Sequence, residues 1–385
     1  MTPHYSEGAW NKRRAVFLES DTLKLGVLPG GGHIASLTLK EGPGANINPL
    51  WTVPWDSMDP KDFKESDQSR YGGIPEGRLL ASIMGHNLCF DFFGGPSPEE
   101  QAKGVSAHGE APVLMWDVVE SKPAGASSNG LECSVKLPHA QLMFRRSIRM
   151  NAGQSVVRFD NEAENLSADP RDIGWQEHVT IGPGFLEKGV TLFDASATWG
   201  QVFPAEFSKR ERLKRGAEFE WPMAPGADGS AIDLRVYPKM ENTSDFSAQL
   251  MDPKREWAWF TAVNPKQGLL FGYLWRRNDF PWLGNWEENH CRLTTPWNGR
   301  ALTRGMEFGV SPFPISREAM RALGQVHGTP TLHHLPGKGK WNTRFYAFLA
   351  PVAPACEGVE AVSFEKGSIV ICQRNSGKKI GLKAE

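Results

Sequence analysis

The sequence predicts an all-β protein, built as a large antiparallel β-sandwich with few short helices. Three observations support this fold class. Apolar and polar residues alternate in many short segments, turn signals rich in glycine and proline separate those segments, and helical periodicity is rare. The 385 residues include 40 glycines and 28 prolines, as expected for many turns between short strands. No linker divides the chain, so residues 1–385 are predicted to form one domain.

The individual elements follow from local patterns. In TLKLGVL, the side chains of Leu23, Leu25 and Val27 share one face, as in a strand with one buried side. The same alternation predicts strands in QLMFRRSIRM, SVVRFDNEAEN, GLLFGYLW, RFYAFLAPV and GSIVICQR. Turn signals such as LPGGG, GPGAN, APGADG and HLPGKG lie between such segments. PEEQAKG and SREAMRALGQ predict short helices, the second beginning after Ser316 as its N-cap.

Composition excludes several classes of partner. The 43 basic and 44 acidic residues give a net charge of −1, so no broad positive field is available for nucleic acid. No run of 18 apolar residues predicts a membrane span, and the N-terminal segment lacks the apolar core of a secretory signal. The five cysteines are widely spaced and odd in number, which indicates free thiols and a cytoplasmic protein. We expect a monomer or a homodimer.

Metal and phosphate motifs are missing from the sequence. His333 and His334 are adjacent, and neighbouring residues of a strand point to opposite faces, so the two rarely bind one ion. No HExxH or comparable ligand spacing occurs. LPGGGH lacks the Lys-Ser/Thr pair of a P-loop and is better interpreted as a turn. We therefore expect neither a metal nor an organic cofactor.

Three stretches place an ionisable residue in a glycine-rich or aromatic context. They are GVSAHGEAPVLMW with His108, GWQEHVTIGPGFLE with His178, and LTRGMEFGVSPFP with Glu307. His178 is either a packed structural histidine or a proton carrier held at a cleft by the following Gly-Pro-Gly bend. Glu307 is either paired with Arg304 or kept as a general base whose pKa is raised by apolar neighbours.

Fourteen tryptophans are an unusual number for this chain. Aromatic residues commonly fill the cores of β proteins, so core packing is one explanation. The other is stacking on the apolar face of a sugar ring. The best group for stacking is Trp275, Trp282, Trp286 and Trp297, because Asn, Asp, Glu and Gly residues are mixed among them.

Taken in order, these stretches resemble the aldose 1-epimerase (galactose mutarotase) superfamily. The resemblance is carried by EGRLLASIMGHNLCFD at 76–91, AHGE at 107–110, NEAENLS followed by GWQEHVTIG, and RGMEFGVSPFP. It implies the galactose mutarotase-like β-sandwich, also called a supersandwich. It also implies that Glu307 is the general base, that His178 is the general acid, and that His108 binds the sugar and stabilises charge on the ring oxygen.

The implied reaction explains these residue types. Opening a pyranose removes a proton from the C1 hydroxyl and delivers one to the ring oxygen, and a carboxylate with an imidazole can do both. The open aldehyde turns about its C1–C2 bond and recloses with the roles reversed. A small-molecule sugar is therefore the expected substrate, and the reaction requires neither cofactor nor metal.

The sequence departs from the family pattern in its sugar-binding residues. The family's Asn-Arg pair falls near 81–83, where no arginine stands, and the alternatives are Arg78, His86 and Asn87. The strand that usually gives an amide to the sugar corresponds to PWLGNWEENH. There Trp286 and Glu287 are preferred, with Asn285 left open, and Asp279 from RRND is a further candidate for binding a hydroxyl.

Three functions remain open at this point. The first is a carbohydrate-active isomerase that interconverts sugar anomers, and the second is a non-catalytic carbohydrate-binding protein of the same fold. The third is a module of a sugar-cleaving enzyme, in which Glu287 or Glu288 would join Glu307 as the second carboxylate. The three ionisable landmarks favour the isomerase, whereas the absent arginine favours the binding protein.

Overall fold

A computed structural model describes residues 3–121 and 128–385, which are dominated by antiparallel strands. In chain order the strands are β1 His4–Trp10, β2 Arg13–Glu19, β3 Leu23–Leu28, β4 His33–Leu39, β5 His86–Asp91, β6 Asp117–Ser121, β7 Ser128–Leu137, β8 Leu142–Asn151, β9 Val156–Asn165, β10 Arg171–Ile181, β11 Leu192–Ala195, β12 Ala197–Val202, β13 Glu218–Glu220 and β14 Met223–Pro225. They continue with β15 Ala231–Asp233, β16 Thr243–Met251, β17 Trp257–Asn264, β18 Leu269–Arg276, β19 Trp282–Asn289, β20 Leu302–Gly309, β21 Gln325–Val326, β22 Thr329–Pro330, β23 His333–Leu335, β24 Lys340–Pro351, β25 Val359–Glu365, β26 Ser368–Gln373 and β27 Lys379–Lys383.

Two large sheets organise these strands. The twelve-stranded sheet has the order β1-β2-β3-β4-β5-β10-β20-β19-β16-β12-β13, with β23 also paired to β10. The eight-stranded sheet has the order β11-β17-β18-β24-β9-β8-β7-β6. The named strands of both sheets pair antiparallel, and a third sheet is formed by β25-β26-β27. This architecture confirms the predicted antiparallel β-sandwich.

The main core lies between the two large sheets. Trp175 of β10 packs on Phe144 of β8 with ring centroids 5.0 Å apart, and Phe308 of β20 stacks on Trp275 of β18 at 4.3 Å. A second apolar cluster covers the other face of the twelve-stranded sheet, and a third lies between the eight-stranded sheet and β25-β26-β27. Both faces of each large sheet are therefore partly covered, which explains strands such as β16 that are buried along their whole length.

Short helices occupy the connections. Besides the 3-10 helices Pro60–Asp62, Glu65–Tyr71 and Ala111–Val113, the structure has α1 Gly77–Ser82, α2 Pro98–Ala102 and α3 Arg317–Leu323. The helices predicted at PEEQAKG and SREAMRALGQ are confirmed as α2 and α3, and the Ser316 hydroxyl accepts the Ala319 N–H at 3.2 Å. The sequence did not predict α1. Its six residues are too few to show helical periodicity, and five of them are buried.

Strand alternation decides which β10 side chains reach the outer face of the twelve-stranded sheet. Trp175 and Val179 face the main core, so His178 between them points to the opposite side. His178 lies well inside the eleven-residue strand β10, whereas the Gly-Pro-Gly bend begins only after Ile181. The expectation that this bend holds the imidazole is wrong, because the position of His178 is set by the pairing of β10 with β5 and β20.

Candidate active site

A cavity of about 200 Å³ lies on the outer face of the twelve-stranded sheet. Its floor is formed by side chains of β10, β16, β19 and β20, and α1 with several loops covers it. Three lining residues are His108, His178 and Glu307, so the structure brings the three ionisable landmarks of the sequence to one cavity.

His178 and Glu307 face each other across adjacent strands. They are direct partners in the β10–β20 register, and His178 Nε2 lies 3.0 Å from Glu307 Oε1. The other ring nitrogen, Nδ1, lies 2.9 Å from the Thr180 hydroxyl, two residues along the same face. The imidazole is thus held at one nitrogen and presents the other to the carboxylate and the cavity.

Two glycines make room for the Glu307 carboxylate. A Cβ atom on Gly305, two residues earlier on β20, would lie 2.1 Å from Glu307 Oε1. A Cβ atom on Gly284, the partner of Glu307 on β19, would lie 3.2 Å from Oε2. The carboxylate therefore occupies space that ordinary side chains on both sides would fill.

Burial changes the protonation of this pair. Only 1% of Glu307 and 4% of His178 is exposed. Desolvation raises the pKa of Glu307 to about 8, since the charged carboxylate loses water without gaining a cation beside it. Desolvation, followed by repulsion from His108, holds the pKa of His178 well below its ordinary value. At neutral pH the carboxyl is therefore protonated and the imidazole is neutral, so the pair holds one titratable proton, mainly on the carboxyl.

His108 enters the cavity from a tight turn. Its φ is +63° and that of Gly109 is +81°, so two successive residues have left-handed backbone. The turn is fixed by the His108 N–H, which donates to the Gly94 carbonyl at 2.8 Å. The imidazole lies 5.3 Å from that of His178, between ring centroids. Its Nδ1 is buried and has no hydrogen-bond partner within residues 3–121 and 128–385, and burial lowers its pKa to about 4.

Aromatic rings and one arginine complete the cavity. Trp286 stands edge-on to His178 with centroids 5.8 Å apart, and Trp297 lies 6.1 Å from Trp286. The guanidinium of Arg292 lies 4.8 Å from the Trp297 ring, and its Nε is 3.3 Å from a carboxylate oxygen of Glu288. Arg292 thus brings a cation to the cavity, although no arginine stands at 81–83, where the family pattern places one.

Arg292 was not among the residues predicted from the sequence. It lies in the loop after β19, far along the chain from the 81–83 region where an arginine was sought. Glu288, within the largely polar run WEENHC at 286–291, accepts the backbone N–H of Arg292 at 2.9 Å and fixes this loop. That polar run was the available signal, because carboxylates at the end of a buried strand need nearby donors.

Three predicted contacts are corrected by strand alternation. His86 belongs to the face of β5 that points between the large sheets, where its ring contacts the Tyr273 hydroxyl at 2.9 Å and Glu177 at 2.7 Å. Glu287 also faces away from the cavity and is paired with Arg212 and Arg304. Asn285 lies on that same face of β19, because it is two residues from Glu287. Neither His86 nor Glu287 is placed to contact a molecule in the cavity.

Other predicted residues lie beside the cavity or elsewhere. Asn87 of β5 is the direct strand partner of His178, but it is buried and does not line the cavity. Its side-chain amide donates to the His178 carbonyl at 3.5 Å. Arg78 projects from α1 toward Phe63, with its guanidinium 5.9 Å from that ring. Asp279 lies in a separate depression near Trp257, where burial raises its pKa to about 6. These three placements do not support direct sugar binding.

Several open alternatives are settled by the pairings just described. Arg304 faces Glu287 rather than Glu307, so Glu307 is not the partner of a cation three residues away. Glu288 accepts two backbone N–H groups from the following loop, and Glu287 is held by arginines. Neither is a free second carboxylate of the kind a glycosidase needs. Of the tryptophan group, Trp286 and Trp297 line the cavity, whereas Trp275 packs between the large sheets.

Metal-ligand clusters, membrane-spanning helices and disulfide bonds are the remaining features to consider. Within residues 3–121 and 128–385, no three His, Cys, Asp or Glu side chains are arranged to hold a metal ion. In the same ranges no helix has the length and apolarity to cross a membrane. All five cysteines carry free thiols.

Comparisons with known proteins give matches only at the level of structure. No family model and no curated protein matches the chain. A candidate aldose 1-epimerase from Klebsiella pneumoniae superposes with a TM-score of 0.65 at 15% identity, covering 90% of this chain and 82% of that one. A galactose mutarotase-like protein from Clostridium acetobutylicum gives 0.60 at 12% identity, covering 91% and 99%.

A third structure has the same architecture. A candidate aldose 1-epimerase from Escherichia coli K12 gives a TM-score of 0.55 at 12% identity, covering 87% of this chain and 98% of that one. Likeness at such low identity concerns architecture, and function depends on the site built upon it. The chain therefore has the fold shared by the aldose 1-epimerase and galactose mutarotase-like structures.

Proposed function

We propose that this protein interconverts the α and β anomers of an aldose by acid–base opening of the sugar ring. One observation carries the proposal: His178 Nε2 and Glu307 Oε1 lie 3.0 Å apart at the floor of a cavity that also receives His108. The two oxygens that lose and gain a proton in the reaction, the C1 hydroxyl and the ring oxygen, are bonded to the same carbon. An acid and a base that are close neighbours suit two such oxygens.

Each step moves one proton at each oxygen. Glu307, as the carboxylate, takes the proton of the C1 hydroxyl while the bond between C1 and the ring oxygen breaks. His178, as the imidazolium, gives its proton to the departing ring oxygen. The product is an open-chain aldehyde, and after rotation about the C1–C2 bond the reverse transfers close the ring on the other face. The protein ends with the protons it began with.

The pair reaches this reactive form by moving a single proton. At neutral pH the proton resides mainly on Glu307, because burial disfavours both charges. Its transfer to His178 creates the base and the acid together, without exchange with solvent. Neutral His108 and the cation of Arg292 supply donors for sugar oxygens, and the rings of Trp286 and Trp297 give the cavity apolar surface that suits the carbon atoms of a pyranose.

The first prediction concerns Glu307→Gln. The amide keeps the shape of the side chain but cannot accept the hydroxyl proton, so we expect the catalysed exchange rate to fall about 10²–10⁴-fold. Exchange NMR on a panel of aldoses measures this rate, and titration calorimetry shows whether binding persists. The control is Glu318→Gln, the same change on the exposed side of α3, which should leave exchange unchanged.

Two outcomes would contradict the proposal. An unchanged exchange rate in Glu307→Gln would remove the base from the mechanism. Sugar binding by the wild-type protein without any acceleration of exchange would instead identify a carbohydrate-binding protein.

A further inference from the structure

The walls of the cavity are unusually apolar for a sugar site. Five lining side chains are ionisable: Glu76, His108, His178, Arg292 and Glu307. Most of the others are aliphatic or aromatic; α1 contributes Leu79 and Leu80, and Ile83 follows directly as the C-cap residue of that helix. The aromatic part includes Phe93, Phe246 and Trp286, with the Phe93 and Phe246 centroids 6.0 Å apart.

Few hydrogen-bonding groups remain for the hydroxyls away from the reacting carbon. If Glu307, His178 and His108 serve the C1 hydroxyl and the ring oxygen, Arg292 and the exposed Glu76 are left among the ionisable side chains. Two lining residues already use backbone groups, since the Gly94 carbonyl accepts from the His108 N–H and the Ala107 N–H donates to the Pro75 carbonyl. A hydroxyl enclosed by this wall would lose water without finding a partner, which is unfavourable.

The apolar wall formed by α1 and its C-cap residue is buried and tightly packed. Leu79, Leu80 and Ile83 are each at most 4% exposed. The Leu80 carbonyl accepts the indole N–H of Trp55 at 2.8 Å, and Trp55 packs edge-on against Trp297 with centroids 5.0 Å apart. This wall is therefore tied to the tryptophans on another side of the cavity.

We infer that the preferred substrate is a deoxy aldose, a sugar with a methyl group in place of a hydroxymethyl group, and that this methyl group packs against the wall formed by Leu79, Leu80 and Ile83. The inference rests on the proposed function, which it narrows to a substrate class. An apolar pocket rejects an added hydroxyl by only about 10- to 100-fold, so the parent hexose should be a poorer substrate rather than an excluded one.

The test compares sugars that differ at one position. Anomer exchange is measured for 6-deoxy-D-glucose, D-glucose and D-xylose, and for 6-deoxy-D-galactose with D-galactose. We expect kcat/KM for the better 6-deoxy sugar to exceed that of its parent hexose by at least about 10-fold. D-Xylose, which lacks the methyl group, should also be poorer than 6-deoxy-D-glucose. Equal values within the matched pairs, or D-xylose equal to 6-deoxy-D-glucose, would overturn the inference.

Variants of the wall locate the preference. Leu80→Asn places an amide of similar size in the wall and should bring the ratio of deoxy sugar to parent hexose close to one. Ile83→Thr provides a second, milder change in the same direction. Leu323→Asn on α3, where the leucine is 45% exposed, is the control and should keep the wild-type ratio. A wild-type ratio in folded Leu80→Asn and Ile83→Thr would contradict the role of the wall.

Failure of this inference can be separated from failure of the proposed function. If no sugar shows accelerated exchange, the isomerase proposal fails. Calorimetric affinities for the same sugar pairs then still decide the preference for the methyl group. Tighter binding of the deoxy sugars would support the inferred ligand class, and equal affinities would overturn it.

Discussion

The protonation of Glu307 and His178 is a property of the pair. The carboxyl has a pKa of about 8 and the imidazole has a pKa well below its ordinary value, so the pair binds one titratable proton, mainly on the carboxyl, over a range that includes neutral pH. A second proton enters only in acid, and the last one leaves only in mild alkali. The proposed reactive form requires one titratable proton on the pair. The doubly protonated pair lacks the base, and the deprotonated pair lacks the acid.

The second prediction is the pH profile of exchange. We expect catalysed kcat/KM to be bell-shaped, with an alkaline limb near pH 8 and an acid limb below the ordinary histidine pKa. In His178→Asn the acid is lost, and the remaining activity should rise with pH through about 8 as Glu307 ionises. A wild-type profile that rises through pH 8 without a decline would show that the last proton is not needed.

Other residues show how far the sequence could predict the site. His108, His178 and Glu307 were identified from short stretches and lie together, although their catalytic roles remain predictions. His86 and Glu287 were placed at the substrate but face the opposite side of their strands. An assignment to a strand leaves the face undecided until the neighbouring strands are known, and a shift of one residue reverses it.

At the level of elements, β19 and β20 leave space for a carboxylate through their glycines. Gly305 has ordinary strand backbone, with no left-handed φ that alanine would avoid, so the obstacle to a side chain is the Glu307 carboxylate itself. Strand glycines often mark such close approaches.

The third prediction is the effect of Gly305→Ala. The new methyl group would displace the Glu307 carboxylate from its place beside His178. We expect kcat to fall about 10- to 100-fold, since small misplacements of catalytic groups are costly. Circular dichroism and exchange NMR check fold and rate together. Gly381→Ala on β27, whose Cβ would meet nothing within 4 Å, is the matched control. Equal rates in the two variants would mean that Glu307 adapts without loss.

The elements themselves were predicted unevenly. Alternation located β3, β8 and β26, whose two faces differ in polarity, and runs of apolar residues located β18 and the second half of β24, which are buried on both faces. It could not show that β10 pairs with both β5 and β20, since about 130 residues separate His178 from Glu307. The helix α1 escaped because it is short and mostly buried, so its sequence lacks a polar face.

For the whole molecule, the third sheet has a role separate from the cavity. It packs on the face of the eight-stranded sheet that is turned away from the main core, where Ile371 of β26 is fully buried beside residues such as Val359. The cavity lies beyond the twelve-stranded sheet, with the main core between. Changes in the third sheet should therefore alter stability and leave chemistry intact.

The fourth prediction uses Ile371→Ala. Loss of a buried side chain leaves a cavity, and we expect the free energy of unfolding to fall by about 2–5 kcal/mol. The catalysed exchange rate at 25 °C should be unchanged. The control, Ile380→Ala, alters the partly buried partner of Ile371 on β27 and should cost less. Urea unfolding measures both variants, and equal losses of stability would contradict the difference in burial. A slower exchange rate in folded Ile371→Ala would contradict the separation of the third sheet from the cavity.

The overall architecture was the most predictable feature, because alternation and turns together specify an antiparallel sandwich. The origin of Arg292 was the least predictable. The run WEENHC indicates that Glu288 needs hydrogen-bond donors, but it does not indicate that the Arg292 N–H is one of them or that this loop reaches the cavity.

The alternation of residues along β20 also affects how the chain avoids misfolding. Phe308 stacks on Trp275 between the sheets while Glu307 points to the cavity. If β20 paired one residue out of step, a carboxylate would enter the aromatic interior and a phenyl ring would occupy the cavity. The misaligned form would lose activity and stability at once. The residue order that directs Glu307 to the cavity and Phe308 to the core thus also opposes strand slippage during folding.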